Sequence, residues 1–275
     1  MITLSGEPVA IVVGRGNLPV LLIEALQRQN KKFSLFLLES EKYEIDYSSF
    51  DPITLPYDRV GRFLEVLKYN QVKTIIFAGS VTKPNFSQIK PDAKGLVLLS
   101  KILANKILGD DAVLNTVIKF FEKEGFKIVG ADKVLDCIIA KKGVLTELQP
   151  TAQDIAAIKI AQKAIKTMSS LDIGQSLIIA QRQIIAVEAL EGTDNLIARC
   201  ATLPQHLKCD AILVKTKKNK QSLKADLPTI GIETIKNCYA ANIKGIAIQA
   251  KSTLVLDREK IIEFANQHQM FFVVI

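Results

Sequence analysis

Tryptophan is absent from this chain, histidine occurs twice and aromatic residues make up only 6%. So few rings argue against a protein that stacks many bases. The four cysteines, Cys137, Cys200, Cys209 and Cys238, contain no C-x-x-C pair. In a chain of 275 residues they imply no disulfide framework and point to a reducing compartment. Cys200, His206 and Cys209 lie near one another, but their spacings are irregular and a fourth zinc ligand is missing nearby. No uncharged apolar run reaches the roughly 18 residues of a membrane span, and Met1–Glu7 lacks the charged-then-apolar pattern of a secretory signal. The expectation is a soluble, cytoplasmic protein.

What is present fits a globular chain: 48% hydrophobic and 23% charged residues rule out wholesale disorder. The length suits two domains of about 100–200 residues each. Lysine and arginine exceed the acids to give a net charge of +8, spread along the chain. That excess suggests anionic partners: phosphate groups, nucleic acid or an acidic membrane surface.

Val9–Val13 is an apolar run ended by Gly14, the pattern of a buried strand. Pro19 then opens a helix, where its missing N–H costs nothing. Strand patterns at Phe33–Leu38, Lys73–Ala78 and Phe126–Val129 alternate with helical ones at Arg62–Tyr69, 95–108 and 112–124. This alternation predicts a parallel, doubly wound α/β sheet. The second half begins with a helix over Ala152–Met168. Strands follow at Ser176–Ala180, Ile184–Leu190, Ala211–Lys215, Ile246–Gln249, Thr253–Leu256 and 271–275, with helices at 194–203, 232–241 and 258–268. Strands that follow one another directly predict a mixed sheet. The fold class is thus α/β, with a Rossmann-like domain over 1–135 and a second α/β domain over 145–275. A linker of about 136–150 joins them.

Four places could carry chemistry. In Gly14-Arg15-Gly16-Asn17-Leu18-Pro19, glycines admit a close ligand and the helix start offers N–H groups to an anion. Proline stands where the dinucleotide fingerprint has its third glycine, and Glu39 is placed to bind a ribose. Asp110 and Asp111 precede a helix that either can cap, and adjacent acids can also hold Mg²⁺. Glu188 interrupts an apolar run and, on an alternating strand, shares a face with Ile184, Ala186 and Leu190; such a carboxylate needs a partner or a metal. Glu191-Gly192-Thr193-Asp194 follows at once, with Arg199 beyond it. Lys215, Lys217, Lys218, Lys220 and Lys224 form a basic segment, read as a solvated loop or as a phosphate-binding one. Asp226 and Thr229 come just before the next helix.

With these residues in view, the whole chain resembles the UDP-2,3-diacylglucosamine pyrophosphatase family of the lipid A pathway, in its LpxI form. The resemblance rests on GRGNLP at 14–19, FAGSVTKP at 77–84, GDDAVL at 109–114, LDIGQ at 171–175, VEALEGTD at 187–194, DLPTIG at 226–231 and GIAIQAKSTLVLD at 245–257. It implies two α/β domains with the substrate between them. It also implies Mg²⁺-dependent hydrolysis of the pyrophosphate bond of a UDP-linked diacylated glucosamine lipid, giving UMP and 2,3-diacylglucosamine 1-phosphate, by water attack on the phosphorus nearer the sugar. On the family pattern Asp226, Glu191 and Asp194 are the catalytic candidates. Thr193 and Arg199 are implied as phosphate contacts; with them Gly14, Gly16, Gln175, Lys215 and Thr229 make up the substrate-binding candidates. Asp226, Asp110, Asp111 and Glu188 are the candidate metal ligands. The basic loop departs from the pattern: Asn219 stands for a proline, Ser222 for an acid and Lys224 for an arginine, and Ser80 for a glycine after the FAG segment.

Pyrophosphate hydrolysis needs charge neutralisation and an oriented water. Mg²⁺ takes oxygen ligands, and His206 and His268 alone cannot build a histidine-rich two-metal site. The competing readings are a nucleotide-binding oxidoreductase, which Pro19 opposes, another sugar-nucleotide enzyme, and a nucleic-acid binder, which scattered lysines oppose. The residue set therefore implies no nucleic-acid partner. Contact with the inner face of the inner membrane is expected, with helix 95–108 lining a chain pocket, resting on the membrane or packing in the core. A homodimer is compatible with everything above.

Overall fold

Five consecutive buried residues, Val9–Val13, form strand β1, apolar on both faces as a strand covered by helices on each side must be. It lies at the centre of a five-stranded parallel sheet in the computed structural model, which describes residues 8–39, 41–82, 89–105, 110–135, 139–171, 173–218 and 227–275. The chain divides into two compact units, one built from the described residues up to Leu135 and the other from those beginning at Ile139.

In the first unit β1 is followed by α1 (Leu18–Arg28), β2 (Phe33–Leu38), β3 (Ile53–Leu55), α2 (Val60–Tyr69) and β4 (Thr74–Ala78). Helices α3 (Ala93–Asn105) and α4 (Asp110–Lys123) and strand β5 (Lys127–Ile128) complete it. The strand order is β3-β2-β1-β4-β5 and every pair is parallel. Chain direction across the sheet therefore reverses between β1 and β4, the place where doubly wound sheets bind ligands. Pro19 sits in the first turn of α1, as its sequence pattern predicts. Asp92 holds two helix starts at once: its Oδ2 accepts from the Gly61 N–H of α2 and its Oδ1 from the Gly95 N–H of α3, both at 2.7 Å. One sheet face packs against α2, α3 and α4 through Ala10, Val12, Phe36 and Ile75. Phe36, Phe63 and Phe121 meet edge to face there, with centroids 5.0 and 5.5 Å apart, a preferred arrangement for aromatic pairs.

The second unit runs β6 (Gly143–Val144), α5 (Ala152–Met168), β7 (Ser176–Ala180), β8 (Gln183–Val187), α6 (Gly192–Ala201), β9 (Ile212–Lys215) and β10 (Thr229–Ile230). It closes with α7 (Ile232–Ala240), β11 (Gly245–Ile248), β12 (Leu254–Val255), α8 (Arg258–Gln267) and β13 (Phe271–Val274). Its main sheet has the order β6-β13-β11-β9-β7-β8. Strands β13, β11 and β9 are parallel, while β6, β7 and β8 each run antiparallel to their neighbours, so the sheet is mixed, as expected. β10 and β12 form a separate parallel pair.

Side chains alternate across this sheet. Ile178, Leu213, Ile246 and Phe272 face α6, α7 and α8; Leu177, Ile212, Val214, Ala247 and Phe271 face α5. The start of α5 is a reciprocal capping box, in which Thr151 Oγ1 accepts from the Asp154 N–H and the Asp154 carboxylate accepts from the Thr151 N–H. Lys244 Nζ adds an ion pair to Asp154 at 3.0 Å and another to Asp210 at 3.0 Å. Among the described residues no helix is long and apolar enough to cross a membrane.

Candidate functional site

Strand β8 ends earlier than the apolar run Ile184–Leu190 predicts. Pairing with β7 shifts register between Ile178 and Ile179 and stops at Val187. Leu190 is 97% exposed, so it shares no core face with Glu188. The chain leaves the strand just before Glu188, whose own side chain turns inward and is buried. Its carboxylate is not left bare: Oε2 accepts from the Thr193 hydroxyl at 3.3 Å and from the Gln175 N–H at 3.4 Å. Gly174 makes this approach possible. It has φ +29°, and a Cβ there would overlap the Glu188 carbonyl. Gly174-Gln175 and Glu188, distant in sequence, therefore pack against each other.

Thr193, in the first turn of α6, is the hub. Its Oγ1 donates to Glu188, lies 3.2 Å from Ser176 Oγ and accepts from Lys215 Nζ at 3.1 Å. With the Thr193 proton committed to Glu188, Ser176 is the donor in the Ser176–Thr193 contact, and all three valences of the Thr193 hydroxyl are used. Lys215 is the last residue of β9 and the cross-strand partner of Ser176, the first of β7. Although it opens what looks like a solvated lysine loop, Lys215 is buried, and its ammonium also donates to the Thr229 carbonyl at 3.1 Å. A buried charge needs partners of this kind, and Thr193 links it to the buried carboxylate of Glu188.

Because β9 runs parallel to β11 and β13, Lys215 marks the carboxyl edge of the sheet, where open α/β sheets bind ligands. The N-terminus of α6 stands at the same place. Its peptide N–H groups and dipole favour an anion, and Gly192 (φ +80°) leaves open space where a side chain would stand. The carboxylate of Glu191 is engaged with Arg199 Nη2 at 2.8 Å and the Ala189 N–H at 3.2 Å. The hydrogen bond from Arg199 holds Glu191 below the usual carboxylate range. Arg199 also donates to the Val187 carbonyl at 2.8 Å, so it clamps the turn between β8 and α6. Asp194 is exposed and accepts from the Thr234 hydroxyl at 3.4 Å. Thr229 Oγ1 donates to the Leu227 carbonyl, and Gly231 is the N-cap of α7.

Among the predicted residues, the structure thus brings together Glu188, Gln175, Thr193, Lys215 and Thr229, and adds Ser176. The only signal for Ser176 was its place directly after LDIGQ. Asp226 and the lysines at 220 and 224 lie outside the described residues, as do the side chains of Asp110 and Asp111, which open α4 of the first unit. Among the described residues no group of three or more His, Cys, Asp or Glu is arranged to hold a metal. That includes Cys200, His206 and Cys209, of which Cys200 is buried and Cys209 exposed.

The turn after β1 in the first unit is built backbone against backbone. Gly14 N–H donates to the Ala78 carbonyl at 2.7 Å, and Arg15 and Ser80 exchange hydrogen bonds at 2.7 and 3.1 Å; a Cβ at Gly14 would strike the backbone of Gly79 and Ser80. Gly16, at φ +91°, has open space around it. Glu39 is exposed. The buried acid here is Glu41, which receives the Thr82 N–H at 2.5 Å and hydroxyl at 3.1 Å and pairs with Arg15 at 3.4 Å. Nothing in the polar stretch around Glu41 marks it in sequence.

A buried lysine beside a helix N-terminus, at the carboxyl edge of a sheet and bonded to the Thr193 hydroxyl, places the protein among α/β folds whose sheet edge carries a cation where such folds bind ligands. In comparison with known proteins, residues 8–138 match the LpxI N-terminal domain and residues 141–273 the LpxI C-terminal domain. A curated relative from Caulobacter vibrioides, named UDP-2,3-diacylglucosamine pyrophosphatase LpxI, is 33% identical over 266 residues, 95% of either chain. The chain belongs to the LpxI family.

Proposed function

We propose that this protein hydrolyses the pyrophosphate bond of UDP-2,3-diacylglucosamine, releasing UMP and 2,3-diacylglucosamine 1-phosphate. The observation that carries the reading is the buried Lys215–Thr193–Glu188 cluster under the α6 N-terminus, in a chain whose curated relative bears the name of this activity. Lys215 and the first N–H groups of α6 bind a phosphate oxygen and offset the charge that grows on it. Thr193 holds the lysine in place, and Glu188 holds Thr193. Asp226, carried over from the family resemblance, orients the attacking water. Water adds to the phosphorus nearer the sugar, the bond from that phosphorus to the bridging oxygen breaks, and the bridging oxygen leaves with UMP.

The carboxylate of the cluster, Glu188, is an oxygen donor of the type that Mg²⁺ selects. One further carboxylate, Asp226, would join Glu188 in holding the ion. Bound Mg²⁺ supplies neutralisation of the pyrophosphate charge. Hydrolysis in ¹⁸O-water is expected to put the label in the lipid phosphate, and Asp226→Ala and chelator are each expected to stop UMP release. Label found in UMP would overturn the direction of attack, and no UMP from the unaltered protein would overturn the function.

Exposed Leu96, Val97 and Leu103 on α3 give the protein an apolar strip for the membrane surface where such a lipid resides. Leu96→Glu with Leu103→Glu should abolish co-sedimentation with phosphatidylserine vesicles; unchanged sedimentation refutes that contact.

A further inference from the structure

In the first unit, lysines gather where the strands begin. Lys32 stands directly before β2 and Lys73 directly before β4. Val9, the first residue of β1, pairs with both Phe33 and Thr74, so Lys32 and Lys73 flank Pro8 at the amino edge of the sheet. Adjacent strands lie about 4.8 Å apart, which leaves the two lysine backbones roughly 10 Å from each other. Side chains alternate along a strand, so Lys32 is in step with Phe36, and Lys73 with Ile75 and Phe77. Those three pack on the side of α2, α3 and α4, and both lysines leave the sheet on that side. There they meet Lys68, in the last turn of α2, and Glu124, directly after α4. The four line a groove of about 760 Å³, floored by the buried Val72 and Phe126. Its size is within the range of small-molecule sites, about 300–1,000 Å³.

The charges of this groove are not matched from within. Glu124, the one acid of its lining among the described residues, is already engaged: its Oε1 accepts from Lys94 Nζ of α3 at 2.6 Å. Lys32, Lys68 and Lys73 are exposed, and their ammonium groups have no hydrogen-bond or ion-pair partner among the described residues. Basic side chains are favoured at helix C-termini, where they offset the dipole and meet the last carbonyls. That accounts for Lys68 at most, since Lys32 and Lys73 belong to no helix. Nor do the helix ends lack donors. The carbonyls of Val66, Leu67 and Lys68 receive the N–H groups of Asn70, Val72 and Gln71 at 2.9–3.0 Å. Those of Phe120, Phe121 and Glu122 receive the N–H groups of Glu124, Phe126 and Gly125 at 3.1–3.2 Å. Three positive charges around one groove repel one another unless an anion enters it.

We propose that this groove binds a phosphate group carrying at least two negative charges, either on a free polyphosphate or on the head of a lipid. Each ammonium is a compact charge with three donors on a flexible stem, so lysines from two strands and a helix close on different oxygens of one tetrahedral group. Strand β1, five residues long, puts about 16 Å between the groove and the Gly14 turn at the carboxyl edge. Doubly wound sheets bind their ligands at that other edge. The groove is therefore a second site, apart from the reaction proposed above.

Lysine acetylation of the full chain by an N-hydroxysuccinimide ester, read by peptide mass spectrometry without Mg²⁺, tests the site and needs no turnover. Tripolyphosphate is the free probe, and phosphatidylcholine vesicles with or without phosphatidic acid present the lipid one. A saturating probe should slow modification of Lys32, Lys68 and Lys73 at least about fivefold and leave Lys159, exposed on α5 of the other unit, nearly unchanged. Protection by tripolyphosphate assigns a free anion; protection by phosphatidic acid alone assigns a lipid head; either upholds the site. Lys32→Gln with Lys73→Gln, both at exposed positions, should raise the probe concentration that half-protects Lys68 by about 30-fold, roughly fivefold for each lysine. Lys32→Arg with Lys73→Arg keeps the charge and should restore most of the protection. Four results each overturn the proposal: no protection by either probe, protection that extends equally to Lys159, protection by phosphatidylcholine alone, or a Lys68 response unmoved by the double glutamine change.

Discussion

Thr193→Val keeps the shape of the side chain at the centre of the site and removes its hydroxyl. Three interactions end there: with Lys215 at 3.1 Å, Ser176 at 3.2 Å and Glu188 at 3.3 Å. A hydrogen bond to a charged group is worth about 1.5–3 kcal/mol net. Neither charge is stripped bare, because Lys215 keeps the Thr229 carbonyl and Glu188 keeps the Gln175 N–H. The lower end of the range then applies to both charged contacts, for a loss of about 3 kcal/mol. With a urea m-value of about 2 kcal/mol/M, the unfolding midpoint of the second unit should fall by about 1.5 M. With one of its anchors gone, Lys215 would no longer meet phosphate in a fixed place in the proposed reaction, and UMP release should drop by about 10²–10³, the cost of losing one oriented donor. Thr193→Ser keeps the hydroxyl and should recover most of both. A valine variant with a midpoint within about 0.3 M of the parent, or a serine variant as impaired as valine, would refute the role of this hydroxyl as hub.

Gly174→Ala should cost more than Gly192→Ala. Both glycines have positive φ, which costs an alanine about 1–2 kcal/mol, but only at Gly174 does the added carbon overlap backbone, that of Glu188. Urea midpoints of the two variants test this, and equal losses would show that Glu188 does not rest on Gly174. At acid pH, Asp154 should report the cap of α5. Burial pushes its carboxyl up, but hydrogen bonds from Thr151 and Lys244 outweigh burial and hold it below its ordinary value of 3.8. The folded value lies under the unfolded one, so the stabilisation is complete above about pH 4 and disappears as pH falls through the lowered value. Asp154→Asn should lower Tm at about pH 6, by the roughly 1 kcal/mol of a helix cap, and by progressively less as the pH is taken down below the ordinary value of 3.8; a drop that does not shrink with falling pH would show that the charge is idle.

The alternation of strands and helices was readable because each signal is local. VAIVV ends at a glycine, Pro19 starts a helix, and Thr151 precedes an amphipathic run that α5 follows from end to end. What escaped depends on distant partners. β3 is three residues between Pro52 and Pro56, and β6 is two residues that exist as a strand only by pairing with β13. The end of β8 was misplaced because apolar residues continue beyond the last paired position, with Leu190 facing solvent. Within the site, Glu188 stood out as a lone acid in an apolar run, and its burial bears out the demand for a partner. Lys215 was among the candidates, but its burial was masked by Lys217 and Lys218: charge density along the chain does not separate a lysine that ends a buried strand from those that follow it into a loop. Ser176 has no signature beyond its place after LDIGQ, since its role comes from sitting opposite Lys215 across two antiparallel strands.

The margins of the two main sheets have a consequence for how the molecule behaves in company. The first sheet stops at β3 and β5, three and two residues long; the second stops at two-residue β6 and at β8, whose pairing with β7 is interrupted by a register shift. Short or irregular margins offer an approaching chain few consecutive unpaired amides, and natural proteins use them to discourage the growth of sheets from one molecule into the next. Crowding should therefore leave the protein dispersed, and self-association is expected through helix faces and not by extending either sheet.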